Sequence, residues 1–171
     1  MAGSRFVLGP RGSCQRIFGL TLLALLFGVL LGIAAAAEWG GITPGVSTLE
    51  AVRERYGPPS RESKQTLEGY ATTQWVYEGA KAPAGIKRMV VDFGLLTPQG
   101  YRPTLVRSFT LEPKPGVFDK PTIVSGWGFP DRAGTDQDKE VFCFKSGLAV
   151  YFDADGTEAV SMTFAPELVC Q

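Results

Sequence analysis

Two stretches of the chain, PGVSTLEAVRERYGPPSR (residues 44–61) and PGVFDKPTIVSGWGFPDR (residues 115–132), align without a gap at a separation of 71 residues and agree at six of 18 positions. They share Pro-Gly-Val at the start and Gly-x-Pro-x-Arg at the end, with Val52 opposite Ile123 and Tyr56 opposite Trp127. A second pair, SFTLEP from Ser108 and SMTFAP from Ser161, is offset by only 53 residues, so the second copy is shorter by 18. A repeat on this scale marks a recurring supersecondary unit, and what the first copy forms the second should form again.

The first copy reads clearly. Ser47 and Glu50 have the spacing of a helix capping box. Leu49, Val52 and Tyr56 then share one helical face, and Gly57, Pro58 and Pro59 end the helix. Residues 71–79 (ATTQWVYEG), 85–93 (GIKRMVVDF) and 105–113 (LVRSFTLEP) alternate as strands do. Arg107 interrupts the apolar row of Leu105, Phe109 and Leu111, which places it at a sheet margin, and GLLTPQGYRPT (residues 94–104) reads as a long loop without a counterpart in the second copy. In that copy Pro121, Ile123, Val124 and Gly126 weaken the helix to one or two turns capped by Asp119. Strands follow at 141–147, 148–156 and 158–166. The expected architecture is α+β: two tandem units, residues 38–113 and 114–171, each a short helix packed on an antiparallel sheet of three or more strands.

An N-terminal signal helix precedes both. Arg5, Arg11 and Arg16 lead into an uncharged run, Ile17–Ala37, that closes on four alanines. This is the pattern of a signal peptide covering residues 1–37 and cut after Ala37; uncleaved, its 21 residues are long enough to anchor the protein in the inner membrane through residues 17–37. Either way the rest of the chain is expected to be secreted or periplasmic. No cysteine follows the run to carry a lipid, since Cys14 precedes it. Without the leader, three of the 17 basic side chains go and 14 remain against 17 acidic ones, a formal charge of −3. That balance, with no basic stripe, argues against nucleic acid as a partner. Cys143 and Cys170 either bridge, closing a loop that contributes on the order of 3 kcal/mol, or stand as separate thiols; an oxidising compartment favours the bridge.

Residues 41–79 carry a further resemblance. A Gly-x-Ser turn at Gly45 and Ser47, a short helix through Val52 ending in Gly57 and Pro59, and a W-x-Y strand at Trp75 and Tyr77 resemble the SmpA/OmlA (BamE-like) domain family, with Phe152 to Gly156 fitting that family's hairpin in the second copy. The tandem arrangement is similar to that of secreted β-lactamase inhibitor proteins. The resemblance implies an extracytoplasmic binding domain without catalysis, and the motifs that carry it specify a turn, a cap and a core.

The chain contains no histidine, which removes Ser-His-Asp and Cys-His nucleophile systems and histidine-ligated zinc. Asp153–Glu158 (DADGTE) is too short for a calcium loop and reads as a hairpin turn. Asp131–Glu140 (DRAGTDQDKE) reads as a solvated acidic loop, and Ser125 in VSGWG lacks the first glycine of a nucleophile elbow. No catalytic residue, metal site or cofactor is expected; the minor enzymatic alternative would require acids such as Asp136 and Asp153 to converge in one pocket. Aromatic residues remain. Trp75, Tyr56 and Trp127 are expected in the core or between the repeats, while Tyr101, Trp39, Tyr70 and Phe129 are candidate partner contacts. The function expected is binding of another envelope or extracellular protein, as an assembly or scaffold factor of the envelope. The alternative is inhibition of a secreted hydrolase. The membrane is expected to be met only through an uncleaved N-terminal segment.

Overall fold

A computed structural model describes residues 36–168 and Cys170. The expected signal segment up to residue 35 lies outside the described residues. In chain order the elements are α1 (Leu49–Tyr56), β1 (Arg61–Leu67), β2 (Tyr70–Glu78), a 3-10 turn (Gly79–Lys81), β3 (Ile86–Thr97), β4 (Gly100–Pro113), α2 (Lys120–Trp127), β5 (Arg132–Asp136), β6 (Lys139–Phe144), β7 (Leu148–Phe152) and β8 (Ala159–Phe164). Among the described residues no helix is long and apolar enough to cross a membrane.

The expected α+β pair of helix-on-sheet units does not form. Among the described residues, eight strands join one antiparallel sheet in the order β1-β2-β3-β4-β8-β7-β6-β5, and with two eight-residue α-helices beside it this part of the chain is mostly β. The cause lies at the seam. β4 and β8 would each be an exposed sheet edge if the copies stood apart, and an edge of unpaired N–H and C=O groups is a template for another strand. Here they pair with each other through Phe109↔Phe164, Thr110↔Thr163 and Leu111↔Met162. Thr110 and Thr163 are equivalent in the repeat, so an approximate local two-fold passes between them, and their hydroxyl oxygens lie 3.2 Å apart.

One face of the sheet carries the core. Trp75, Tyr77, Met89, Val91, Phe93, Phe109 and Leu111 in the first half and Leu148, Val150, Phe152, Met162 and Phe164 in the second are all buried in a single cluster. Val52 of α1 and Ile123 of α2 complete it, so both helices lie on this face. Tyr56 and Trp127 pack against its margin, and Phe109 and Phe164 stack across the seam with ring centroids 4.4 Å apart. Ala37, the last residue of the expected leader, is also in the cluster, and its N–H donates to Ser146 O at 2.6 Å.

Local details correct the expected helix start and confirm how both helices end. The cap of α1 is Thr48, which accepts from Ala51 N at 3.3 Å, while Ser47 accepts from Thr43 N; no Ser47–Glu50 box forms. Asp119 caps α2, accepting from Thr122 N at 2.8 Å. Thr122 holds the Asp119 carboxyl below the ordinary carboxylate range. Gly57 and Gly128 both take positive φ and donate back to Arg53 O and Val124 O, so the two helices end alike. Each helix start is tied to the sheet at the same place, by the bridges Thr48↔Leu105 and Asp119↔Glu158.

Each half has four strands, three of which were read from the sequence. The strands missed, β1 and β5, are the outer edges of the sheet, and almost all of their side chains are exposed. Without a buried face they show no apolar alternation to read. Asp131–Glu140 is accordingly the β5–β6 hairpin rather than a loop, turning at Gln137 and Asp138 with φ of 48° and 63°. Residues 94–104 are likewise not a loop but the far end of the β3–β4 hairpin, paired as far as Thr97↔Gly100. Pro103 is tolerated in β4 because it lies in an interruption of the ladder, between the pairs Leu95↔Arg102 and Phe93↔Val106.

Candidate functional site

Among the described residues no helix packs over the sheet centre on the face opposite α1 and α2, and the side chains there are mostly polar: Gln74, Asp92 and Ser108 in one cross-strand row, Glu78, Arg88 and Glu112 in another. Gln74 Nε2 donates to Asp92 Oδ1 at 2.9 Å, and Arg88 pairs with Glu112 at 3.0 Å. Val76 and Val90 also lie on this face but are buried or half-buried, and Val160 of β8 is exposed singly; exposed apolar side chains gather at the tips of the β1–β2 and β3–β4 hairpins.

The β1–β2 turn is two residues, Glu68 and Gly69, both at positive φ, which sets Leu67 opposite Tyr70. The β3–β4 turn sets Leu96 opposite Tyr101, held by Thr97 Oγ1 donating to Gly100 O at 2.8 Å. Tyr70 and Tyr101 then stack, with centroids 4.5 Å apart and 25° between planes. Tyr101 reaches across β3 to donate its hydroxyl to Ala71 O. It can do so because Gly94 lies beneath it: a Cβ on Gly94 would stand 2.3 Å from the Tyr101 hydroxyl oxygen, and its φ of 101° suits glycine alone. Tyr101 therefore braces β2, β3 and β4 together, and the contact surface it creates is shared with Tyr70. Leu67, Tyr70 and Leu96 are 45%, 40% and 57% exposed, which is costly to leave in water unless something covers them.

These side chains rim a hollow of about 290 Å³ whose walls include Thr72 and Gly94 and whose one cation among the described residues is Arg107. Arg107 was expected on the face of Leu105, Phe109 and Leu111, interrupting that apolar row at a sheet margin. A bulge changes that: Phe93 pairs with Val106 and Asp92 with Ser108, so Val106 takes the core position and Arg107 is the extra residue. Its Nη2 lies 3.8 Å from Asp92 Oδ1, on the face away from the helices, and its Nε is buried without a hydrogen-bond partner.

Of the four sequence candidates, Tyr101 and Tyr70 are thus brought together. Trp39 is not: it packs against the core margin beside its bridge to Ile42. Phe129 is 86% exposed but lies in the connection between α2 and β5, outside the hollow. Leu67, Leu96 and Arg107 were missed as candidates. The pairing of Leu67 with Tyr70 could have been found from Glu68-Gly69 flanked by those residues; the bulge had no sequence signal.

The remaining expected features have structural roles. Cys143 and Cys170 are joined in a disulfide, with Cα atoms 5.7 Å apart. Asp136 accepts from the Tyr151 hydroxyl at 3.1 Å, and burial followed by that carboxylate pushes the Tyr151 phenol up. Asp153 organises the β7–β8 turn, accepting from Thr157 N at 2.7 Å, and these backbone donors hold its carboxyl below the usual range. Asp136 and Asp153 line separate hollows and do not converge. Among the described residues no three acidic or cysteine side chains gather closely enough to hold a metal ion. The arrangement at the hairpin tips offers apolar area, two ordered phenol rings and one guanidinium, a set suited to binding.

No protein-family model matches the chain, and no curated protein matches it. Among solved structures it is similar to a DUF4309 family protein (YjgB) from Bacillus subtilis subsp. subtilis str. 168, at 14% identity and a TM-score of 0.47, over 73% of this chain and 82% of that one.

Proposed function

We propose that this protein is an extracytoplasmic, non-catalytic binding module that engages another envelope or extracellular protein through the hairpin tips on the open face of its sheet. The observation that carries the reading is the exposed group of Leu67, Tyr70 and Leu96 around the Tyr101 brace, on the face that the helices leave uncovered. Aromatic side chains fixed before binding lose little conformational freedom when a partner covers them, which makes them effective anchors. The location outside the cytoplasm rests on the leader-like N-terminus and on the Cys143–Cys170 bridge, which persists where thiols are oxidised. The motif resemblance to the SmpA/OmlA family points the same way.

The test is site-specific photo-cross-linking in the native organism. A photoreactive residue at Leu96 should give one recurrent protein adduct, lost when Tyr70 is changed to Ala, whereas the same residue at Glu54 on the solvent side of α1 should not. Adducts at Leu96 no different from those at Glu54 would overturn the proposal.

A further inference from the structure

We infer that the hollow between the hairpin tips receives a carboxylate, an Asp or Glu side chain set among apolar residues on the partner, with Arg107 as its cation. The inference rests on the proposed binding role of this face and adds the chemistry of what is recognised. It begins from a difference between the two halves. The bulge that carries Arg107 recurs in β8, where Tyr151 pairs with Ser161 and Phe152 with Ala159. The residue there that matches Arg107, at the offset of 53, is Val160. A bulge in this fold therefore accepts an uncharged β-branched side chain, and the geometry of the strand does not call for arginine.

Nor does ion pairing account for it. Asp92 is the one carboxylate within 4.0 Å of Arg107 among the described residues, at 3.8 Å, beyond hydrogen-bond reach. The oxygens of Asp92 already accept from Gln74 Nε2 at 2.9 Å and Ser108 Oγ at 3.5 Å. Arg107 Nε donates to nothing. The side chain keeps 30% of its surface and lines the hollow. A planar group with several donors in a fixed fork, one weak ionic neighbour and a wall of leucine and tyrosine is matched by a second planar group with paired acceptors. The apolar rim raises the strength of that contact by excluding water once a partner is seated. The other charge on the rim, Glu68, is exposed at the β1–β2 turn, where solvent screens it.

The experiment is a displayed library of random peptides selected on the full-length protein in detergent, followed by affinity measurements on the winners. Expected are peptides with an Asp or Glu beside apolar residues. Changing that acid to its amide should weaken binding by about tenfold or more in the parent protein, roughly 1.4 kcal/mol, and by less than about twofold in Arg107→Val. That variant copies the residue the other half already holds, so it should keep its fold, and an unchanged circular dichroism spectrum and urea midpoint check this. Arg107→Lys should recover part of the acid dependence without the full affinity, because a point charge replaces the fork. Peptides that need Leu96, shown by loss of binding in Leu96→Asp, yet are indifferent to their own acid and to Arg107→Val, would overturn this inference while leaving the binding role standing. If no selected peptide depends on Leu96, the binding role of the face fails and this inference with it.

Discussion

Replacing Phe164 by alanine tests the seam between β4 and β8. Phe164 is fully buried, pairs with Phe109 on one side and Leu148 on the other, stacks on the Phe109 ring and lies 5.9 Å from the Trp127 ring. Truncating a buried phenylalanine costs about 3–5 kcal/mol, and the lost Phe109 stack belongs in the upper part of that range, so about 4 kcal/mol is expected. For a folded body of this size, total stability is on the order of 7–20 kcal/mol, so the variant should still fold. The informative quantity is where the loss is felt. If one sheet and one core unfold together, the slowest-exchanging amides of β2 and β3 should lose the same protection as those of β6 and β7, by about three powers of ten. Hydrogen exchange followed by mass spectrometry reads both regions in one sample. Protection that falls only in β6 and β7 would mean that the halves unfold independently, and that the shared cluster of buried residues is not one cooperative unit.

Three further outcomes follow from individual contacts. Gly94→Ala should cost more than about 2 kcal/mol, since it combines strain at a φ of 101° with a clash against the Tyr101 hydroxyl, and the urea midpoint should fall accordingly. Burial pushes the Tyr77 phenol up to about 12. Because the folded value lies above the unfolded one, its contribution is complete below pH about 10 and is lost as pH rises towards 12. Tyr77→Phe should flatten the fall in urea midpoint over that window, with some loss at neutral pH because Gly57 O no longer accepts from the phenol. Reducing Cys143–Cys170 opens a loop of 27 residues and should lower stability by about 3–4 kcal/mol in a reductant titration, with the sheet retained.

What could be read along the chain was whatever repeats at short range. Leu49, Val52 and Tyr56 mark α1, Gly57 and Gly128 mark where helices stop, and the alternation through Trp75, Tyr77, Met89, Val91 and Phe93 marks two central strands. β1 and β5 were hidden because their side chains face water, leaving no apolar period. The ends of β3 and β4 were hidden because Gly94, Pro98, Gly100 and Pro103 are ordinarily breakers; here Gly94 makes room for Tyr101 and Pro103 lies in a gap of the ladder.

By itself, then, the sequence determined the duplicated pattern, the helix stops and most of the buried positions, because these depend on backbone preference and on which side chains avoid water. Only the tertiary structure decided that the two copies share one sheet. A strand's edge consists of N–H and C=O groups common to every residue, and nothing in the side chains of β4 or β8 states which edge each will meet. The same holds at the candidate site: Tyr70 and Tyr101 are 31 positions apart in the chain, and the bulge that turns Arg107 away from the core depends on the register of β3 against β4. Pairing between distant strands, rather than local preference, places these side chains around one hollow.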